Sequence, residues 1–200
     1  LLTGWALVCN AEQGVTIKKS TGDETVFEII MPAVQFAALE ETNLQTLSAE
    51  GFGTIRDSGK PGVPAKSVLL EIPPECDVEI KTVAEQRTTI HDFLLAPAPK
   101  AVMQEDAQGE IKLVETFEMD QAAYAQNIFY PRKFAELEYT GYLRDKKVAR
   151  ISVFPVQYNP ALRELHIYKK LIIAVHYTSA DGQQNDFMVR QETRNFNTPD

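Results

Sequence analysis

The sequence predicts an all-β fold, an antiparallel β-sandwich of jelly-roll kind with about nine strands and one or two long exposed loops. Three observations carry it. Short runs rich in β-branched and aromatic residues recur down the 200-residue chain, clusters of Gly, Pro, Asn and Asp separate them, and no long segment keeps a helical apolar period.

Taken in order, Val15 to Lys18 reads as a short strand that ends at the turn cluster Ser20-Thr21-Gly22-Asp23. Thr25 to Met31 then runs extended to Pro32, which makes the pair a hairpin. Val34 to Leu47 fits neither template: Ala37, Ala38, Leu39, Glu40 and Glu41 favour helix, and the segment is read as mixed. Gly53 to Pro64 is a loop punctuated by Gly59, Pro61, Gly62 and Pro64. Strands follow at Ser67 to Ile72 and Cys76 to Val83, divided by Pro73-Pro74, and at Thr88 to Leu95, closed by Ala96-Pro97-Ala98-Pro99.

Lys100 to Glu110 is polar and charged and reads as an exposed loop. Glu118 to Ile128 is the second long departure from strand pattern, with a short helix through Gln121-Ala122-Ala123-Tyr124-Ala125. Phe134 to Leu143 and Lys147 to Phe154 are strands, with Arg144-Asp145 pinning the turn between them. In Val153-Phe154-Pro155-Val156-Gln157-Tyr158-Asn159-Pro160 the Asn-Pro pair ends a strand near Tyr158, because proline presets φ and pushes the preceding residue out of the helical region. Leu165 to Tyr177 is the return strand of an antiparallel hairpin.

Composition narrows the function. A formal charge of −8, from 20 Lys+Arg against 28 Asp+Glu, repels phosphate backbones and anionic lipid. Nucleic acid is not an expected partner. Leu1 to Val8, followed by Cys9-Asn10-Ala11, reads as the end of a secretory signal's apolar core and its cleavage site; the alternatives are a buried first strand or a lipid anchor on Cys9. Residues 12–189 then form one domain, and 190–200 begin a linker. No later segment has the roughly 18 apolar residues of a membrane helix.

Catalytic chemistry is not expected of this segment. Cys76 alternates with Val78 and Ile80, while Asp77, Glu79 and Lys81 take the other face, which is the pattern of a core residue rather than a nucleophile. His91, His166 and His176 all fall in expected strands without a metal-ligand spacing or a nucleophile turn beside them. Glu40-Glu41 and Glu105-Asp106 are adjacent pairs whose side chains diverge, unlike a glycosidase pair. Gly51-Phe52-Gly53 has no helix after it to cradle a phosphate. No cofactor or metal is expected.

Four segments, in order, carry a family resemblance: Gly59-Lys60-Pro61-Gly62-Val63-Pro64; Leu95-Ala96-Pro97; Phe129-Tyr130-Pro131; and Leu143-Arg144-Asp145 continuing to Gln157-Tyr158-Asn159-Pro160. The chain resembles the N-terminal propeptide domain of gingipain-type cysteine peptidases. The resemblance implies a bacterial, secreted or cell-surface zymogen. In it this domain blocks the active-site cleft of the catalytic domain in the same chain, assists its folding, and is cut away. It gives Pro131, Arg144, Asp145, Gln157, Tyr158, Asn159 and Pro160 a structural role. The inhibitory loop it implies matches Lys100, Ala101, Val102, Met103, Gln104, Glu105 and Asp106. Where relatives place a basic anchor, this chain has Gln104, with Lys100 four residues earlier. The competing reading is a free-standing secreted sandwich that binds carbohydrate or an adhesion partner, with Tyr124, Tyr130 and Tyr142 as candidate platforms.

Overall fold

A computed structural model describes residues 14–105 and 109–179. The expected signal segment 1–11 and linker 190–200 lie outside the described residues. The fold is all-β and antiparallel, with thirteen strands and one short helix among the described residues.

The larger sheet is organised by one strand, β13 (Glu164–Ser179). Along one edge β13 pairs over its length with β7 (Cys76–Ile90). Along the other edge it pairs first with β12 (Val156–Asn159) and then with β2 (Glu24–Ile30), which in turn carries β1 (Val15–Ser20). The second sheet runs β10 (Ala135–Leu143), β11 (Lys146–Val153), β6 (Pro64–Glu71) and β5 (Gly53–Thr54).

The two sheets share a hydrophobic core because alternate residues point the same way. Phe27, Ile29, Leu171, Ile173 and Val175 of the larger sheet meet Val68, Leu70, Ala149, Ile151 and Val153 of the smaller. All ten are buried, and each large aliphatic side chain removed from water contributes about 1.5–3 kcal/mol. Cys76 closes one end of this cluster, 3% exposed, in the core position its alternation predicts. Tyr177 and Thr25 bury a hydroxyl pair at 2.7 Å, so neither oxygen is left unpaired. A second cluster gathers Met31, Leu47, Val63, Phe93, Leu95, Val156, Tyr158 and Leu165.

Three sequence expectations are corrected here. The mixed segment after Val34 is a hairpin, β3 (Val34–Ala38) with β4 (Gln45–Ala49); of the helix-favouring residues, Ala37 and Ala38 lie in β3, and Leu39, Glu40 and Glu41 enter the turn. Cross-strand pairing overrides the local propensity. The strands expected at 76–83 and 88–95 are one strand to Ile90, because β13 offers partners along its whole length. His91 therefore lies just past β7, not within a strand.

Candidate partner-binding hairpin

The segment expected to be an exposed loop is itself a two-stranded hairpin. Strand β8 (Lys100–Glu105) pairs with β9 (Ile111–Thr116) in regular antiparallel register and with no other strand. Asp106, the last residue of the expected loop, lies outside the described residues.

Register divides the hairpin into two faces. Lys100, Val102 and Gln104 stand opposite Thr116, Val114 and Lys112 on one face; Ala101, Met103 and Glu105 stand opposite Glu115, Leu113 and Ile111 on the other. Lys100 is thus at the root and Gln104 four residues outward, beside Lys112, whose ammonium lies 3.5 Å from the Glu110 carboxylate. Residue spacing along a strand separates Lys100 from Gln104 by about 13 Å. The two cannot fill the same pocket in one pose.

The hairpin's root is fixed by the two proline segments of the sequence. Entering it, Ala96 and Ala98 accept from Gly62 and Gly59 at 3.0 and 3.2 Å, and Ala98 donates to Lys60 at 2.7 Å. Leaving it, Asp120 donates to Gly59 at 2.9 Å and caps the helix α1 (Gln121–Tyr124) through the amides of Ala122 and Ala123. Gly62 is required by space: a Cβ there would sit 3.0 Å from the Ala96 carbonyl oxygen. Gly59 is required by conformation, with φ at +86°. The glycine-proline loop is the socket of the hairpin.

Behind the root lies the closing motif. Gln157, Tyr158 and Asn159 are buried on β12. Gln157 donates through Nε2 to the Pro131 carbonyl at 2.8 Å, and the Tyr158 hydroxyl donates to the Phe93 carbonyl at 2.8 Å. Asn159 donates to the Asn127 side chain at 2.9 Å while its own Oδ1 accepts from the Leu162 amide at 3.2 Å, the side-chain turn that Asn before Pro160 forms. Tyr130 and Tyr158 exchange backbone bonds at 2.9 and 2.8 Å, and the Tyr130-Pro131 peptide is cis. The side chains from Gln157 to Asn159 therefore tie together chain segments far apart in sequence. Arg144 and Asp145 do form the two-residue turn between β10 and β11, with Arg144 at φ 58°, but no ion pair joins them among the described residues.

A cleft of about 760 Å³ opens beside this wall, lined by Arg56, Asp57, Lys60, Tyr130, Arg132 and Glu136 among others. Lys60 and the Tyr130 hydroxyl both bond Asp57, at 3.0 and 2.8 Å, and hold its carboxyl below the ordinary range. Burial, and then the Asp57 bond, push the Tyr130 phenol well above its ordinary value. Tyr124 is half-buried and donates to the Leu95 carbonyl at 2.9 Å. Of the three tyrosines considered as platforms, only Tyr142 is largely exposed, at 67%. His166 is buried, stacked 4.1 Å from the Phe129 ring and 2.5 Å from Glu164. His91 and His176 face Glu164 and Glu24 at 3.6 and 3.4 Å. Among the described residues no three potential metal ligands cluster.

Two packed sheets with a tethered two-stranded hairpin define the class of this domain as an all-β module. The family model described as Propeptide_C25 matches residues 9–197, and the chain belongs to that propeptide family. It is similar to Gingipain R2 of Porphyromonas gingivalis strain W83, 24% identical over 199 residues, covering 96% of this chain and 26% of that protein. Gingipain R1 of the same species is 27% identical over 129 residues, covering 64% of this chain and 12% of the relative. Lys-gingipain of strain ATCC 33277 is 23% identical over 175 residues, covering 82% and 10%. The chain therefore spans no more than about a quarter of the length of these relatives. Among solved structures, the complex of P. gingivalis RgpB pro- and mature domains matches with a TM-score of 0.74 at 22% identity, covering 87% of this chain and 90% of that one. A structure addressing the zymogenic latency of P. gingivalis gingipain K matches with a TM-score of 0.66 at 18% identity, covering 88% and 98%. The segment is a propeptide domain of that family.

Proposed function

We propose that this domain keeps the catalytic domain of its own precursor latent, and assists its folding, until proteolysis removes it. The observation that carries this reading is the β8–β9 hairpin, which pairs with no other strand yet is rooted in a glycine-bonded socket. An extended strand with a free edge can lie in a substrate cleft through main-chain hydrogen bonds while one side chain fills a pocket. A stable complex buries about 1,200–2,000 Å² in total, more than a short hairpin offers, so the sheet wall shares the interface. The signal reading of residues 1–11 and the secreted relatives support export of the precursor.

Inhibition runs through the hairpin segment Lys100 to Asp106, with Lys100 or Gln104 as the side chain that enters the primary pocket. The register adds that Lys112 is the cross-strand partner of Gln104, with its ammonium 3.5 Å from the Glu110 carboxylate. A neutral Gln facing a buried carboxylate would leave that charge unpaired, which costs affinity and favours Lys100 as the anchor where the pocket is acidic. The test compares inhibition of the separately prepared peptidase by Lys100→Ala, Gln104→Ala and Lys112→Ala. At least one should weaken inhibition by tenfold or more; wild-type potency in all three would remove the substrate-like hairpin. The free-standing binding module is not favoured, because Tyr124 and Tyr130 are half-buried and only Tyr142 of the three candidate platforms exposes its ring.

A further inference from the structure

We propose that the hairpin's second face, formed by Met103, Ile111 and Leu113, is an apolar docking surface that seats against a hydrophobic patch of the peptidase domain in the same precursor. The proposal rests on the prodomain reading above and adds a contact on the face opposite to Lys100 and Gln104.

These three side chains are 79%, 70% and 70% exposed, and no other large hydrophobic among the described residues reaches 70%. They are also contiguous. Met103 lies directly opposite Leu113, and Ile111 is two residues from Leu113 on the same face. Scattered exposed apolar residues need no explanation, but three on one face of a projecting ribbon do. A lone two-stranded hairpin is marginally stable in water, and this one has no strand of its own domain beside it.

What covers the face follows from the rest of the chain. The described residues do not, since all three side chains stay 70% exposed or more. The relatives are at least about four times longer than the segment that aligns, and the RgpB structure that matches the fold is a complex of pro- and mature domains. Glu105 and Glu115 border the apolar triad on the same face, so the complementary patch is apolar with a basic rim. Contact on this face would leave Lys100 and Gln104 on the other to address the cleft, and the hairpin would be gripped as a wedge.

The experiment measures the affinity of the 200-residue chain for the separately prepared peptidase domain at about 0.1 M and 1 M salt. It uses the unaltered chain, a Met103→Ser/Ile111→Ser/Leu113→Ser variant, and a Met103→Leu/Leu113→Met variant. Losing each side chain should weaken binding about tenfold, and the triple serine variant by 100-fold or more at both salts. The conservative variant should stay within about threefold of the unaltered chain, including if the serine variant melts earlier. Unaltered affinity of the triple variant would overturn the apolar contact and leave the prodomain reading standing. Loss of affinity in the conservative variant as well would also overturn it, since a merely apolar surface tolerates that exchange. So would a self-associated chain that becomes monomeric in the triple variant with peptidase binding unchanged, because the occupant would then be a second copy. Failure of the unaltered chain to bind the peptidase would remove both readings.

Discussion

Replacing residues 101–115 with a two-residue Asn-Gly turn should leave the domain as stable as before, or more so, while ending its inhibitory action. Lys100 and Thr116 are cross-strand partners, so their Cα atoms are about 4.5–5.5 Å apart, a gap that such a turn spans. The hairpin shares no strand pairing with either sheet, and none of its residues belongs to either core cluster. Among its described residues none is fully buried, and only Val102 and Val114 of residues 101–115 are half-buried. Shortening the excursion from 15 residues to two lowers the closure cost by (3/2)RT ln(15/2), about 2 kcal/mol as an upper bound. For a domain of this size that corresponds to a melting temperature unchanged or raised by up to about 8 °C. Thermal unfolding followed by circular dichroism reads the first half of the prediction. Activity of the full precursor on a peptide substrate, against the same precursor with the native hairpin, reads the second. A fall in melting temperature of more than about 5 °C would show that the hairpin is part of the folding unit, and full latency without it would place the inhibitory contact elsewhere.

Leu171→Ala, at a fully buried site between the sheets, should destabilise by about 2–5 kcal/mol in urea unfolding. Tyr158→Phe removes the donor to the Phe93 carbonyl and should cost about 1–3 kcal/mol, whereas Tyr142→Phe, in an exposed position, should stay within about 0.5 kcal/mol. Cys76, buried in the core, should react with a thiol reagent only at the rate at which the native domain opens; immediate labelling would contradict its placement. The Glu28 carboxyl is held below its ordinary value of 4.5 by hydrogen bonds from Lys18 and Lys170. Because its folded-state value is depressed, its contribution is fully present above about 4.5 and is lost as pH falls through the lowered value. Glu28→Gln should therefore flatten the decline of stability below pH 4.5 without altering its direction with other carboxylates present.

The return strand β13 was legible because its β-branched run alternates toward one buried face, and its neighbours because Asn159-Pro160 and Arg144-Asp145 mark turns by backbone geometry. The core position of Cys76 was legible for the same reason. The hairpin at Lys100 to Thr116 was not, since a ribbon exposed on both faces has no buried side to leave a period in the sequence. Polar composition then reads as loop. Ile111, Leu113 and Val114 were the available signal, and their register against Met103 and Val102 becomes visible only once the pairing is known. Ala37 to Glu41 misled in the opposite way, because local helix preference is worth a few tenths of a kcal/mol per residue and sheet pairing outweighs it. The socket role of Gly59 and Gly62 depended on contacts with Ala96 and Ala98 far along the chain. Spacing alone could not supply it.

The placement of β13 bears on the order in which the molecule can assemble. Neither β2 nor β7 pairs directly with the other; both wait on a strand encoded about 75 to 150 residues later. At a synthesis rate of about 5–20 residues per second, roughly 7–30 s separate the emergence of β2 from that of its partner. Throughout that interval Phe27 and Ile29 lie on an uncapped edge, open to pairing with the same segment of a neighbouring nascent chain. The larger sheet thus cannot join β2 to β7 before residues 164–179 arrive, because β13 is the strand both pair with.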